Sequence, residues 1–201
     1  MAGTWHAQRA ARNAGYVFTE SYVPKHSAQW AKHLGHLKDK ANVRFLEVGS
    51  FEGGSAIWFL ENILTHPTSA ITCIDPFLRA GSEARFDHNV RVAPGGSKVT
   101  KIKSKSESII AALEQASFDA IYIDGSHDAN NVLLDGIAGW RLLKPEGIMI
   151  FDDYIWRPDR PPEKRPHMAI DLFLEVLHAE LTLLHQGFQV IIRKSPPPRT
   201  L

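Results

Sequence analysis

The stretch FLEVGSFEGGS, residues 45–55, decides the fold. Phe45 to Val48 is an apolar run of strand length broken by one acid, Glu47. Gly49 and Gly53 then supply a turn, and GGSAIWFLENIL (53–64) continues with helical spacing of apolar residues. Strand, glycine turn and helix in that order form the repeating piece of a parallel α/β sheet. Ligands of such sheets bind beyond the carboxyl ends of the strands, where a helix N-terminus offers free N–H groups.

The same rhythm runs outward from this unit. VRFLEV (43–48), AITCID (70–75), KVTKIK (98–103), FDAIYID (118–124) and GIMIFDD (147–153) read as strands. SESIIAALEQA (106–116), NNVLLDGIAGWRLL (130–143) and AIDLFLEVLH (169–178) read as helices, the first capped by Ser106. ELTLLHQGFQVIIRK (180–194) reads as two strands joined at Gln186-Gly187, so the sheet should finish with an antiparallel strand. The expectation is a Rossmann-like, doubly wound, seven-stranded α/β sheet, mostly parallel with an antiparallel C-terminal hairpin strand. Residues 1–40, including SAQWAKHLGHLKD (27–39), are expected as an N-terminal helical cap. Residues 41–195 form the main domain and 196–201 a disordered tail. RPDRPPEKRP (157–166) holds four prolines and is expected as a surface loop, a candidate lid.

Composition narrows the function. The 201 residues are 44% hydrophobic and 22% charged with a formal net charge of +1, which favours neither nucleic acid nor an anionic membrane. One cysteine, Cys73, precludes an internal disulfide and reads as a core residue. No apolar leader opens the sequence, and no run approaches the roughly 20 residues of a membrane span. A cytoplasmic protein is the expectation.

The glycine loop lacks the G-x-G-x-x-G dinucleotide fingerprint and the P-loop lysine. Glu47 would repel a pyrophosphate and instead suits a ligand carrying an ammonium or sulfonium. A second acidic group stands at the strand ends. Asp124 closes the fourth strand and Asp152-Asp153 the fifth, and neighbouring strands lie about 4.8 Å apart. Three converging carboxylates repel one another unless a counter-charge is present. A hard divalent cation would supply it, Mg²⁺ first, with Ca²⁺ and Mn²⁺ as alternatives.

In order, EVGSFEGGS, CIDPF, SKSES, YIDGSH and LLKPEGIMIFDDY resemble class I S-adenosylmethionine-dependent methyltransferases. The resemblance is to the metal-dependent small-molecule O-methyltransferases of the macrocin and sugar type and, more distantly, the catechol type. It implies that Glu47 and the backbone of Gly49 face the methionine end of the cofactor, that Gly53 permits close backbone approach, and that Ser50 and Ser55 belong to the cofactor site. Asp75 would bind the ribose hydroxyls, Ser106 and Glu107 would approach the adenine, and Asp124 would serve both cofactor and metal. Asp124, Asp152 and Asp153 would hold the metal against a vicinal diol. His127, three residues after Asp124, falls at the position of the family's base, with Asp128 as the competing base or an N-cap. The implied partner is a hydroxylated small molecule; homo-oligomerisation is open. Two rival readings stand: a metal-independent methyltransferase and a cofactor-binding protein without catalysis. KPEG, where the family commonly has KPGG, is the one departure.

Overall fold

The computed structural model describes residues 15–20 and 22–196. Much of the expected cap and most of the expected tail lie outside these residues. Seven strands form one mixed sheet: β1 (Arg44–Val48), β2 (Ala70–Asp75), β3 (Val99–Lys103), β4 (Phe118–Ile123), β5 (Leu143–Phe151), β6 (Leu181–Gln186) and β7 (Val190–Lys194). Their order is β3-β2-β1-β4-β5-β7-β6. The pairs β1–β4, β2–β3 and β4–β5 are parallel, whereas β5–β7 and β6–β7 are antiparallel. The hairpin expected at the C-terminus is therefore present. No helix among the described residues is long and apolar enough to cross a membrane.

The chain divides into two compact units. The first contains residues up to Val43 and Ser50–Lys103. It carries α1 (Val23–Leu34), α2 (Gly54–Asn62) and α3 (Ser82–Val92) beside β2 and β3. Trp30 of α1 packs against Trp58 and Phe59 of α2, with ring centroids 5.2 and 4.8 Å apart. A strap of residues 16–19 is tied to this unit. Tyr16 donates its hydroxyl to Glu61, and the Val17 N–H donates to Asn89 Oδ1 at 2.7 Å. Thr19 donates both its N–H and its hydroxyl to the buried Glu52, which also pairs with Arg85. A buried carboxylate needs such partners, because unpaired it would lose its hydration uncompensated.

The second unit comprises Arg44–Gly49 and Ser104–Leu201. It holds β1, β4, β5, β6 and β7 with α4 (Ala129–Leu142) and α5 (His167–Val176). Phe173 of α5 meets Trp140 of α4 and Phe151 of β5 edge-on, at 5.6 and 5.0 Å. Cys73, in the first unit, is buried as expected.

Two elements differ from the sequence reading. Residues 106–116 make two short 3₁₀ turns, Ser106–Ser108 and Ile110–Ala112, instead of a helix. Ser106 and Ser108 favour local non-helical bonding, the adjacent Ile109 and Ile110 are β-branched, and the Ser106 hydroxyl serves Asp135 instead of capping. The helix α3 was not anticipated, because only Ser82, Phe86 and Asn89 of it are buried and no apolar stripe marks it. The KPEG departure also acquires a physical meaning. Glu146 has φ +63°, a left-handed conformation that glycine adopts without strain.

Candidate active site

Strand register assembles the site in the second unit. Glu47 lies opposite Tyr122, and Tyr122 lies opposite Ile150. Continuing the β4–β5 register past Ile123 and Phe151 sets Asp124 beside Asp152. The Asp124 N–H donates to Val48 O at 2.8 Å and the Asp152 N–H to Ile123 O at 3.0 Å, which fixes both at the strand ends. Residues two apart on a strand share a face, so Tyr122 and Asp124 point the same way.

The Tyr122 hydroxyl fills the space where a cation was expected. It lies 2.5 Å from Asp152 Oδ2 and 3.2 Å from Asp124 Oδ2. Asp152 Oδ1 accepts the Asp153 N–H at 2.8 Å. A phenol has one proton and serves only one carboxylate at a time. Burial, then the charges of Asp152 and Asp153, push the Asp124 carboxyl well above the usual carboxylate range, opposed by the Tyr122 bond. A protonated Asp124 can donate to the Tyr122 oxygen while Tyr122 donates to Asp152. Burial and the flanking acids likewise hold the Tyr122 phenol protonated. The Tyr122 hydroxyl thus stands within hydrogen-bond reach of both carboxylates at the strand ends.

As placed, Asp124, Asp152 and Asp153 are not gathered round one point, and among the described residues no group of three or more His, Cys, Asp and Glu could hold a metal. Both Asp152 oxygens already accept hydrogen bonds, and Asp153 turns elsewhere. The residues as placed do not fit Mg²⁺, Ca²⁺ or Mn²⁺.

Asp153 adopts φ +61°, a conformation Asp tolerates better than most residues. Its Oδ2 lies 2.7 Å from His127 Nε2, with the imidazole about one-third exposed (37%). His127 also stacks on Trp156, with centroids 4.2 Å apart and planes at 28°. An ionised carboxylate only accepts, so a neutral His127 paired with it carries its proton on Nε2 and its lone pair on Nδ1. Asp128 occupies the N-cap position of α4 without a side-chain capping bond, and its carboxylate meets Lys164 at 3.3 Å.

The expected cofactor residues are distributed as follows. In the second unit Glu47 is fully buried. Gly49 has φ +89°, and a Cβ there would lie 2.1 Å from the Asp124 carbonyl oxygen. Ser106 bonds the buried Asp135, and Glu107 is an exposed partner of Lys105. In the first unit the Ser50 hydroxyl is buried without a hydrogen-bond partner among the described residues. Gly53, at φ +82°, is the N-cap of α2 and provides no side-chain cap; Ser55 follows, half-buried, in the first turn. Asp75 Oδ2 accepts the N–H groups of Ser50 and Phe51 at 2.9 and 2.8 Å, and Oδ1 that of Phe77 at 2.5 Å. A carboxylate offers about four acceptor positions. Two hold the glycine loop and a third takes the Phe77 N–H, leaving one where a pair had been expected to face a diol.

Sequence reasoning passed over Tyr122, Asp135 and Glu52. Tyr122 could have been found from its period-2 relation to Asp124. Asp135, on α4, is 3% exposed. Burial raises its carboxyl to about 6, against the Ser106 bond and with help from Glu107. A raised carboxyl contributes full stability below the unfolded value near 3.8 and loses it as pH rises through about 6. Asp135→Asn should therefore flatten the decline in stability between about pH 4 and 6 and raise stability at pH 7 by up to about 3 kcal/mol. Urea melts at pH 4 and 7 measure this, and an unchanged slope would count against it.

Comparison with known proteins agrees with this fold. A relative in Acanthamoeba polyphaga mimivirus, an uncharacterised protein, is 30% identical over 139 residues, 65% of this chain. The match covers 62% of that relative's length, so the chain spans less than two thirds of it. The O-methyltransferase TomG from Streptomyces achromogenes, involved in tomaymycin synthesis and solved with S-adenosylmethionine, superposes with a TM-score of 0.69 at 16% identity. That match covers 94% of this chain and 87% of TomG. An O-methyltransferase from Bacillus cereus solved with S-adenosylhomocysteine gives 0.68 at 15% identity, covering 98% of this chain and 91% of its own. At such identities these structures share the fold. The profile of a methyltransferase-domain family matches residues 46–154, more than half of the chain, which spans β1 through the Asp152-Asp153 pair; the chain belongs to that methyltransferase family.

Proposed function

We propose that the protein is an S-adenosylmethionine-dependent O-methyltransferase acting on a hydroxyl of a small molecule, with His127 as base. The observation that carries this reading is the Asp153–His127 pair just beyond the end of β4, in a chain of the methyltransferase family.

Each unit holds groups suited to the cofactor. In the first, the uncapped first turn of α2 suits a carboxylate, the orphan Ser50 hydroxyl needs a polar partner, and Asp75 keeps one acceptor position for a ribose hydroxyl. In the second, the buried Glu47 carboxylate suits an ammonium, and the bare Gly49 backbone permits close approach. Ser106 and Glu107 stand for the adenine side. Bound S-adenosylmethionine supplies an electrophilic sulfonium methyl. His127 Nδ1 removes the acceptor's hydroxyl proton, Asp153 holds the ring and stabilises the imidazolium, and Trp156 covers a ring face. Adjacent hydroxyls, as in a diol or catechol, are the acceptor class favoured by the motif resemblance. The Tyr122 hydroxyl and the Asp153 N–H each take one acceptor position on Asp152. The reading takes His127 as a base that works without Mg²⁺.

Calorimetry with S-adenosylhomocysteine, followed by a methyl-transfer screen over diols, catechols and flavonoids in Mg²⁺ and in EDTA, tests it. Micromolar cofactor binding and turnover that persists in EDTA are expected. No heat at millimolar ligand would reject the enzyme reading; turnover only with Mg²⁺ would reject the metal-free base.

A further inference from the structure

The segment between β5 and α5 holds more positive charge than its neighbours neutralise. Residues 157–166 contain Arg157, Arg160, Lys164 and Arg165 against Asp159 and Glu163. Two of the four cations are satisfied. Arg157 grips Asp159 through two bonds of 3.1 and 3.0 Å, and Lys164 lies 3.3 Å from both Asp128 oxygens. Arg160 and Arg165 take part in no salt bridge among the described residues. Arg160 feels the charge of Asp159, but that carboxylate is already engaged by Arg157. Glu163 is exposed and forms no ion pair there either.

The two remaining guanidinium groups are differently placed. The Arg160 guanidinium carbon lies 5.1 Å from the Trp156 ring centroid, and Trp156 stacks on His127 at 4.2 Å. The cation is thus one indole away from the candidate base. The Arg165 Nε is buried and has no hydrogen-bond partner among the described residues. A guanidinium N–H removed from water without an acceptor is costly, and the fork geometry of arginine matches carboxylate and phosphate oxygens. The Lys164–Asp128 pair and the Trp156–His127 stack hold both ends of this segment against residues 127 and 128, so its charge is presented beside the base.

We propose that Arg160, assisted by Arg165, forms an anion subsite for the methyl acceptor, which is a hydroxylated small molecule carrying a carboxylate or a phosphate. This rests on the assignment of His127 as the base of a methyltransferase. The subsite selects the acceptor and orients its hydroxyl toward His127 without taking part in the transfer.

Matched probes test it: catechol against 3,4-dihydroxybenzoate, and ribose against ribose 5-phosphate. Each is titrated into the protein with and without saturating S-adenosylhomocysteine. In at least one pair the charged member should bind ten-fold or more tighter, and the pair that responds identifies the anion. Arg160→Gln should remove most of that preference, and Arg165→Gln should reduce it. Neither variant should shift the melting temperature by more than about 2 °C or S-adenosylhomocysteine affinity by more than about twofold. Equal or absent binding within both pairs, or a preference that survives the double variant, overturns the proposal. The same probes incubated with S-adenosylmethionine read the other reading separately: arginine-dependent probe binding with neither S-adenosylmethionine binding nor methyl transfer keeps the subsite and rejects the methyltransferase reading, so the two failures are distinct.

Discussion

Replacing His127 by Ala should lower kcat by about 10³, within the range for loss of a positioned general base. S-adenosylhomocysteine binding should change by less than about twofold, because the imidazole is a third exposed and engages Asp153 and Trp156. Asp153→Asn separates orientation from basicity. An amide in the carboxylate's place can donate to Nε2, and the ring then carries its proton on Nδ1, facing the acceptor. A fall in kcat comparable to that of His127→Ala is expected, with KM for the cofactor unchanged. Rapid-quench assays with labelled methyl donor measure both. If His127→Ala keeps more than a tenth of the wild-type rate, the proton leaves by another route, and Asp128 becomes the first group to replace.

Gly49→Ala should be strongly destabilising. Its φ of +89° is disfavoured for any residue with a Cβ, and the added carbon would sit 2.1 Å from the Asp124 carbonyl oxygen and 2.5 Å from Gly125 Cα. Both obstacles are backbone, and Asp124 is fixed by its N–H bond to Val48, so neither can swing away. Strain plus overlap should cost about 4 kcal/mol. For a domain of this size that lowers the melting temperature by about 10 °C. Calorimetric melting of the purified variant is the direct measurement. Gly53→Ala provides a contrast: its φ is +82°, but its nearest obstacle is the Phe86 ring at 3.2 Å, a side chain and not backbone, so a smaller loss is expected. A Gly49→Ala protein as stable as wild type would mean the β1–β4 strand ends are looser than described.

The two substitutions probe features that were unequally visible in the sequence. Strand–turn–helix order was visible because apolar runs and turn glycines are local signals, and the reversed last strand followed from a hairpin at Gly187. The 3₁₀ turns at 106–112 were not, because what breaks that helix is a hydroxyl given to Asp135 on a helix more than 20 residues later. The placement of Asp124 beside Asp152 was visible from strand ends alone. The hydroxyl that both carboxylates meet was not, since a tyrosine within an apolar strand reads as core, although alternation puts Tyr122 on the same face as Asp124. Asp75 shows another blind spot. Its partners are the backbone N–H groups of Ser50, Phe51 and Phe77, and no residue type advertises those.

The strap of residues 16–19 has a consequence for how the chain reaches its fold. Val17 is bonded to Asn89, 72 positions later, and Thr19 to Glu52, 33 positions later. During synthesis the strap emerges well before its partners exist, and the loop it must close is long. Contacts of such separation form late and slowly, because closure entropy is lost before any stabilisation returns. The glycine loop that carries Glu52 therefore gains its final support only after α3 has been made. In refolding kinetics, Tyr16 and Val17 should be among the last groups to acquire protection.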